Sequence, residues 1–220
     1  MSELQGNQEG VLSMPTCLLV LGTRNRKKAG ELVDLLVPQG LTLKSLADFP
    51  DALEVEESGQ TFAANAALKA TLQARHLKQW VLGEDSGLAV DALGGEPGVY
   101  SARFSGEGPT DASNNKLLLE KLAGMPLEKR TAHYVCHATL SDPQGNIRAE
   151  AEDSCRGRIL LSESGSGGFG YDSLFEIPEY HKTFGELGPA VKFVLSHRSR
   201  AIRALLPKLV ELCRSGEWRS

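Results

Sequence analysis

The chain has 220 residues, long enough for one domain to bury a hydrophobic core without disulfides or a structural metal. Its 24 lysines and arginines are outnumbered by 28 aspartates and glutamates, and the net charge of -4 argues against a protein whose main partner is nucleic acid. The four cysteines lack metal-binding or disulfide spacing, which favours a reducing, cytoplasmic compartment, and no apolar run approaches the roughly 20 residues that cross a membrane.

The first predicted feature is a tail. Residues 1–15 are polar and lack both a basic start and an apolar segment, so they are expected to be a disordered tail rather than a signal peptide, followed by one domain over 16–220. The run "TCLLVLGT" from Thr16 is suited to a buried strand. The next run, "KKAGELVDLLV", has the apolar spacing of a helix and places Leu32 and Val33 on its inner face. The domain is therefore expected to begin with a strand, a loop and a helix.

A second helix is predicted around residues 61–78, with Ser58 as its N-cap. Its apolar spacing predicts an inner face that includes Leu72. The run "WVLGED" then indicates another buried strand, which is expected to end at the acidic pair Glu84 and Asp85. Strand, helix and strand alternate over this part of the chain.

Further along, the hydrophobic period changes from helical to alternating. A third helix is expected to end at Gly124, and alternate apolar residues from Ala132 to Leu140 are followed by a "DPQG" turn, which predicts a long hairpin. A last helix is predicted to start near Ser196. The order of elements favours an α/β fold with a mixed sheet, in one domain of two lobes with a cleft between them.

The first candidate site is the stretch "GTRNRKK", which lies where the first strand meets the first helix. Free backbone N–H groups, the positive end of the helix dipole and four basic side chains converge there. The stretch predicts an anion site, with a solvated basic helix start as the alternative.

Two acidic pairs form the second candidate site. Glu84 and Asp85 are placed at the end of a predicted strand, where ligand sites of α/β sheets usually lie, and Glu56 and Glu57 precede the second helix. Clustered carboxylates repel each other unless a cation joins them, and Mg²⁺ is typically held by one or two carboxylates together with phosphate oxygens and water. This favours a functional role for Glu84 and Asp85. Glu56 and Glu57 are either metal ligands or ordinary surface acids.

Two more groups of polar side chains share a face or a helix start. Asn65 and Lys69 are four residues apart on the second helix, so Lys69 is either a phosphate-binding lysine or an ordinary exposed one. The run "VKFVLSHRSRA" gathers Lys192, His197 and Arg198 at the start of the last helix, where hydrogen-bond donors concentrate.

The stretch "GSGGFGYD", from Gly165 to Asp172, spells the G-x-G-x-x-G pattern of a dinucleotide phosphate loop. That loop requires a helix to open from it, whereas here a short apolar run closed by Pro178 follows. The stretch alone favours a flexible turn. Phe169 and Tyr171 are suited either to stacking on a base or to the core.

Five segments together resemble the inosine/xanthosine triphosphate pyrophosphatase family in order and spacing. They are "TRNRKKAGEL", "EESGQTFAANAALKA", "EDSGLAVDALGGEPGVYSARFSG", "GGFGYDSLF" and "KFVLSHRSRAI", and the resemblance runs from about Thr16 to the final helix. It implies an elongated two-lobed fold with a central cleft, a homodimer, Mg²⁺ dependence, and cleavage of ITP, dITP and XTP to monophosphate and pyrophosphate. In that family the "GGFGYD" loop holds the nucleoside, so the dinucleotide pattern here is accidental.

The resemblance also implies roles for individual residues. Catalysis would rest on Asp85, Lys28 and Lys69, and Glu56 and Asp85 would hold the metal and the attacking water. The residues implied to bind substrate are Thr23, Asn25, Lys28, Asn65, Ser86, Phe169, Gly170, Tyr171, Asp172, Lys192, His197 and Arg198.

The chain departs from the family pattern at the edges of the motifs. Ala64 stands where relatives often have Glu, Phe193 stands where a small polar residue is usual, and the division of roles between Glu84 and Asp85 stays open. One alternative function is a pyrophosphatase for modified pyrimidine or methylated nucleotides, and another is a nucleotide sensor without turnover. The acids favour an enzyme, because a sensor does not need carboxylates that hold a metal beside a phosphate site.

Overall fold

A computed structural model describes residues 17–219, and in this part of the chain a mixed sheet of seven strands packs with five α helices. The predicted tail over 1–15 lies outside the described residues. In chain order the elements are β1 (Leu18–Leu21), α1 (Arg26–Leu36), β2 (Thr42–Ser45), α2 (Phe62–Leu77), β3 (Val81–Val90), α3 (Asp111–Lys121), β4 (Thr131–Ser141), β5 (Ile147–Ile159), β6 (Phe175–Ile177), β7 (Lys182–Thr183), α4 (Phe184–Leu195) and α5 (His197–Ser215).

The sheet has the strand order β2-β1-β3-β4-β5-β6-β7. Strand β1 is parallel to β2 and β3, and the remaining neighbours are antiparallel. This mixed sheet confirms the predicted fold class. The strand at the start, the long hairpin β4–β5 and the last helix, with Ser196 as its N-cap, are confirmed as well.

The long strands carry two large hydrophobic clusters, one in each lobe of the domain, and a smaller third cluster includes Val81 of β3. Leu82 of β3 and Leu140 of β4 belong to one cluster, with α1 and α5. Leu88 of β3 and Tyr134 of β4 belong to another, with α3 and α4. Between them β3 carries buried polar side chains, beginning with Glu84. Burying polar groups costs free energy unless each one has partners, so this belt is where partners must be sought.

Close packing of α2 on β3 positions the next part of the site. A Cβ atom added to Gly83 would lie 2.5 Å from the carbonyl oxygen of Ala66 and 2.6 Å from the backbone nitrogen of Ala70, closer than real Cβ contacts. Only glycine on the strand and small residues on the helix allow this approach. Asn65 and Lys69, one position before each alanine, are thereby brought against β3.

Four local predictions are wrong. Val33, predicted on the inner face of α1, is exposed, and the buried residues of that helix are Leu32, Leu35 and Leu36. Helix α2 begins after Thr61, whose hydroxyl accepts a hydrogen bond from the amide of Ala64, so Ser58 is not its N-cap. Leu72 is exposed, because the tight contact with β3 selects the small and polar face of α2 rather than its most apolar one. Strand β3 does not stop at Glu84 but continues to Val90, since it pairs with β4 residue by residue along its whole length.

Candidate active site

Two adjoining cavities lie beside the polar belt of β3. Cavity A has a volume of about 330 Å³ and includes Thr23 and Asp85 in its lining. Cavity B has a volume of about 250 Å³ and includes Phe169 in its lining. Four residues line both, which joins the cavities into one continuous site; they are Asn25, Lys28, Ser86 and Ala102.

The start of α1 forms one wall shared by the two cavities. The side-chain oxygen of Asn25 accepts hydrogen bonds from the backbone nitrogens of Lys27 (3.0 Å) and Lys28 (3.2 Å), which makes Asn25 the N-cap. The hydroxyl of Thr23 accepts from the backbone nitrogen of Asn25 at 3.2 Å. The turn directs the start of the helix, with its positive dipole end, at the cavities, as the predicted anion site requires.

Glu84 is a buried anchor for two cations. Its carboxylate lies 3.0 Å from Nζ of Lys28 and 3.4 Å from Nε of Arg198. Burial alone would raise the pKa of Glu84, but Arg198 and Lys28 hold that pKa well below its usual range. Glu84 therefore stays ionised and serves to fix these two side chains.

Asp85 points to the other side of β3, towards α2. Its Oδ1 lies 2.9 Å from Nζ of Lys69, and its Oδ2 accepts a hydrogen bond from the side-chain amide of Asn65 at 3.1 Å. Burial raises the pKa of Asp85, and the ammonium of Lys69 opposes that rise. The opposite directions of Glu84 and Asp85 follow from the alternation of side chains along a strand. Of the two acids whose roles the sequence left open, only Asp85 lines cavity A.

The metal ligand was predicted at Glu56, and the structure brings its neighbour Glu57, rather than Glu56, to cavity A. The carboxylate of Glu57 lies 3.0 Å from Nζ of Lys69, which also contacts Asp85, whereas Glu56 is exposed and is not part of the lining of either cavity. The segment before α2 is irregular, and only one of the two neighbouring acids faces inward. Glu57 and Asp85 thus share one ammonium as a common partner.

Asn65 was predicted to bind substrate, and the structure gives it a different place. It is fully buried and lines neither cavity. Its amide nitrogen donates to Asp85, and its carbonyl oxygen accepts from the backbone nitrogen of Gly59 at 2.8 Å. Asn65 therefore orients Asp85 and holds the segment that carries Glu57.

The glycine-rich loop forms the far wall of cavity B. Asp172 closes the loop by accepting a hydrogen bond from the backbone nitrogen of Phe169 at 2.8 Å, and it pairs with Nζ of Lys192 at 2.6 Å. The hydroxyl of Tyr171 donates to the carbonyl oxygen of Ser101 at 2.8 Å. Gly170 has a φ of 62°, which glycine adopts without strain. The loop thus presents the ring of Phe169 and its own backbone to cavity B.

A network of buried charges supports the same cavity. Nζ of Lys192 lies 2.9 Å from the carboxylate of Glu31 and 4.2 Å from the ring centroid of Phe169. Arg198 is 1% exposed; one of its terminal nitrogens pairs with Glu31 and the other donates to Oγ of Ser86 at 2.8 Å. Sequence reasoning missed Glu31, although its position three residues after a predicted phosphate lysine on α1 was an available signal.

His197 is a buried neutral imidazole in cavity B. It stacks on Tyr134 with ring centroids 4.7 Å apart, and its Nδ1 has no hydrogen-bond partner among the described residues. Burial, with Arg198 and Lys192 nearby, holds the pKa of His197 well below its ordinary value of 6.5. A neutral imidazole whose Nδ1 has no partner can donate a hydrogen bond to a bound base or accept one from it, depending on its tautomer.

The same burial predicts how stability depends on pH. Below pH 6.5 the unfolded chain protonates His197 while the folded chain does not, so stability present above that pH is lost as the pH falls. Because of His197, we expect the free energy of unfolding to fall by an amount approaching about 1.4 kcal/mol for each unit that the pH falls below 6.5. Urea unfolding at several pH values between 7.5 and 5.5 measures it, with His197→Gln as the reference. Equal slopes in the two proteins would contradict the prediction.

The remaining predicted residues lie along the two cavities, and Asn25, Lys28 and Ser86 line both. Cavity A is lined by Thr23, Asn25, Lys28, Lys69, Asp85 and Ser86. Cavity B is lined by Phe169, Gly170, Tyr171, Asp172, Lys192, His197 and Arg198. Phe193, one of the departures from the family pattern, lines neither. Arg103 lines cavity A and was given no role from the sequence, although it lies in the segment "EDSGLAVDALGGEPGVYSARFSG".

The donor set of cavity A fits a hard divalent cation. Two carboxylates, of Asp85 and Glu57, lie on either side of one ammonium, and oxygen ligands of this kind suit Mg²⁺ when phosphate and water complete the shell. Within residues 17–219 no group of three or more His, Cys, Asp or Glu side chains is placed to hold a metal by itself. Over the same residues no helix combines the length and apolarity needed to cross a membrane.

Comparison with known proteins identifies the relatives of this site. The model of the Ham1 family matches residues 19–208. The chain belongs to the Ham1 family. A protein of Rhodopirellula baltica named dITP/XTP pyrophosphatase is 55% identical over 197 residues, which is 90% of this chain and 95% of the relative. A protein of the same name from Desulforamulus reducens is 48% identical over 194 residues, or 88% and 96% of the two chains.

Solved Ham1 structures have the same fold. The structure of a HAM1 protein from Coxiella burnetii superposes with a TM-score of 0.81 at 32% identity, covering 89% of this chain and 100% of that one. That of the nucleoside-triphosphatase / dITP/XTP pyrophosphatase from Mycobacterium abscessus has a TM-score of 0.71 at 41% identity, covering 87% and 99%. The predicted family is thereby confirmed, and the G-x-G-x-x-G match belongs to a Ham1 chain rather than to a dinucleotide-binding unit.

Proposed function

We propose that this Ham1 chain hydrolyses ITP, dITP and XTP to the nucleoside monophosphate and pyrophosphate, and so removes deaminated purines from the nucleotide pool. The observation that carries the proposal is the junction of the two cavities. Cavity A combines basic side chains with the buried Asp85, and cavity B combines aromatic rings with buried donors. A nucleoside triphosphate has this same division into a highly charged chain and an aromatic base.

In the proposed mechanism, the base lies in cavity B and the phosphates lie along the start of α1 in cavity A. Lys28 and Lys69 are held by Glu84, Glu57 and Asp85, so their charges are already oriented towards the phosphates. Preorganised cations of this kind stabilise the charge that develops on the departing pyrophosphate without further reorganisation.

Asp85 is proposed to accept the proton of the attacking water. Burial raises its pKa from the ordinary value, which brings the carboxylate closer to the pKa that suits a general base near neutral pH. Asp85 and Glu57 are also the residues that would hold Mg²⁺, which would screen the phosphate charges and lower the pKa of a bound water. Magnesium and the homodimer stay predictions that the family resemblance implies, and the cytoplasmic location stays a prediction from the spacing of the cysteines.

The product pattern tests this proposal. Purified protein with Mg²⁺ and dITP in water enriched in ¹⁸O is expected to form dIMP that carries one ¹⁸O and pyrophosphate that carries none, because water attacks the α-phosphorus. Mass spectrometry of both products gives the answer. Formation of dIDP and orthophosphate would overturn the proposed reaction, and binding of dITP without any product would favour the sensor.

The choice between the two neighbouring glutamates gives a further prediction. Glu57→Gln is expected to raise the Mg²⁺ concentration at half-maximal activity by about tenfold or more, as loss of a metal ligand or its support usually does. The matched variant Glu56→Gln removes the same charge from the neighbouring residue, whose side chain is exposed. Its Mg²⁺ concentration at half-maximal activity is expected to stay within about twofold of wild type. Titration of activity with Mg²⁺ measures both. The reverse order would return the ligand to Glu56.

A further inference from the structure

Two arginines in cavity A have no role in the mechanism so far. Arg24 and Arg103 both line cavity A, and neither lines cavity B. Arg24 follows β1, whereas Arg103 ends a short 3-10 helix, Gly98–Arg103, that packs beside β3. Two separate parts of the chain therefore bring an arginine to the same cavity.

The contacts of these arginines leave their charges uncompensated. A terminal nitrogen of Arg24 donates to the carbonyl oxygen of Ala52 at 2.7 Å, and one of Arg103 donates to the carbonyl oxygen of Glu57 at 3.4 Å. Within residues 17–219 neither guanidinium has a carboxylate within ion-pair distance. Lys28 and Lys69, by contrast, each pair with carboxylates. Of the basic side chains that line cavity A, Arg24 and Arg103 are thus the two without a carboxylate partner in the described part of the chain, and Glu54 is an acid of the same lining.

Their anchors also place them along the cavity. Ala52 and Glu57 are the two ends of one segment that runs beside cavity A, and Glu57 reaches through Lys69 to Asp85. Leu53 and Glu57 of this segment line cavity A and not cavity B, whereas Asn25, Lys28, Ser86 and Ala102 line both. The two arginines are therefore held by hydrogen bonds to a segment that lines cavity A alone.

We propose that Arg24 and Arg103 form a clamp for the terminal phosphates and make the enzyme select triphosphates by the length of the phosphate chain. This inference rests on the proposed function. Guanidinium groups suit it because they present several donors in a planar fork that matches phosphate oxygens and stay charged at every physiological pH. The clamp holds the pyrophosphate end of the substrate during cleavage and retains pyrophosphate as a product.

The test uses inhibition by the separate products. In wild type, pyrophosphate and dIMP are titrated as inhibitors of dITP hydrolysis with Mg²⁺ present, and the same titrations are made on Arg24→Gln, Arg103→Gln and the double variant. We expect the inhibition constant for pyrophosphate to rise about tenfold for each arginine removed, the size of one charge-assisted hydrogen bond to phosphate. The constant for dIMP is expected to stay within about twofold, because the nucleoside end lies in cavity B.

A matched control separates the clamp from a general effect of charge. Arg200 is also an exposed arginine with one contact to a backbone carbonyl, that of Ser154 at 3.3 Å, and it lines neither cavity. Arg200→Gln removes the same charge and is expected to leave both constants unchanged. The clamp would be overturned if Arg200→Gln and Arg103→Gln raised the inhibition constant for pyrophosphate equally. It would also be overturned if the constant for dIMP rose together with that for pyrophosphate. Absence of pyrophosphate release in wild type would instead overturn the proposed function itself.

Discussion

Asp85→Asn is expected to lower kcat by at least about 10³-fold while leaving the free energy of unfolding within about 1 kcal/mol of wild type. The amide keeps the shape of the carboxylate but accepts no proton and is a poor metal ligand. Stability changes little because burial already disfavours the charged form of Asp85, so removing the charge offsets the lost contact with Lys69. Pyrophosphate release measured beside urea unfolding separates the two effects.

Asp142→Asn provides the opposite control. Asp142 is also a buried aspartate, but it lies in the hairpin turn between β4 and β5, where it accepts backbone hydrogen bonds from Gln144 (3.0 Å) and Asn146 (2.8 Å). Burial alone would raise its pKa, and the bonds from Asn146 and Gln144 lower it overall, so the charged form is the one that stabilises the fold. We expect this variant to lose stability and keep kcat. Near wild-type turnover in Asp85→Asn would refute the assignment of Asp85.

The elements that the sequence predicted well are those with a regular hydrophobic period. The hairpin β4–β5 follows from the alternation between Ala132 and Leu140, and the last helix follows from an N-cap and an apolar stripe. Helix α4 was not predicted, because Gly188 interrupts it with a φ of 77° and Pro189 follows. Its regularity depends on packing against β6, β7 and α5 rather than on local preference.

The extent of β3 could not be derived from its own residues. Glycine at 83 and 87 and the acids between them suggest the end of a strand, yet each residue from Val81 to Val90 has a partner on β4. Gly87 is required because an added Cβ would lie 2.4 Å from both the carbonyl oxygen of Gly98 and Oγ of Ser101. The strand is therefore stabilised by neighbours that lie far away in sequence.

The candidate site was predicted better than its internal division of roles. The motifs predicted residues that line both cavities, because loops and helix N-termini are where polar binding groups are usually exposed. Which side chain points inward is a tertiary property. Glu57 rather than Glu56 contacts Lys69, and the side chain of Asn65 makes its hydrogen bonds to Asp85 and Gly59. Neither contact can be predicted from the spacing of residues in the sequence.

The largest selectivity is expected at the purine 6-position, where kcat/KM for dITP should exceed that for dATP by about 10⁴-fold. Lys192 and Arg198 in cavity B are donors with no acceptor atoms. A 6-keto oxygen accepts from them, whereas the 6-amino group of adenine is a donor and would leave buried donors facing each other. Neutral His197 adapts to either group through its tautomers, so discrimination rests on the two cations.

Arg198→Gln tests this reading more cleanly than truncation to alanine. Arg198 pairs with Glu31 and Glu84, but each of these keeps a lysine partner, Lys192 at 2.9 Å and Lys28 at 3.0 Å, so the variant leaves no carboxylate unpaired. Glutamine adds an acceptor oxygen that can receive the adenine amino group. The ratio of kcat/KM for dITP over dATP is expected to fall by at least about 100-fold, through a gain with dATP as well as a loss with dITP.

The control for this prediction is Arg203→Gln, one turn or so further along α5. Arg203 donates to the carbonyl oxygens of Phe193 (2.8 Å) and Val194 (3.0 Å) and lines neither cavity, so its loss should leave the ratio unchanged. Steady-state kinetics on dITP, XTP and dATP with all three proteins complete the comparison. If Arg198→Gln rejects dATP as strongly as wild type does, the donor that reads the 6-position is Lys192 or the loop backbone beside Phe169. The role of Arg198 is then to hold Glu31, Glu84 and Ser86 in place.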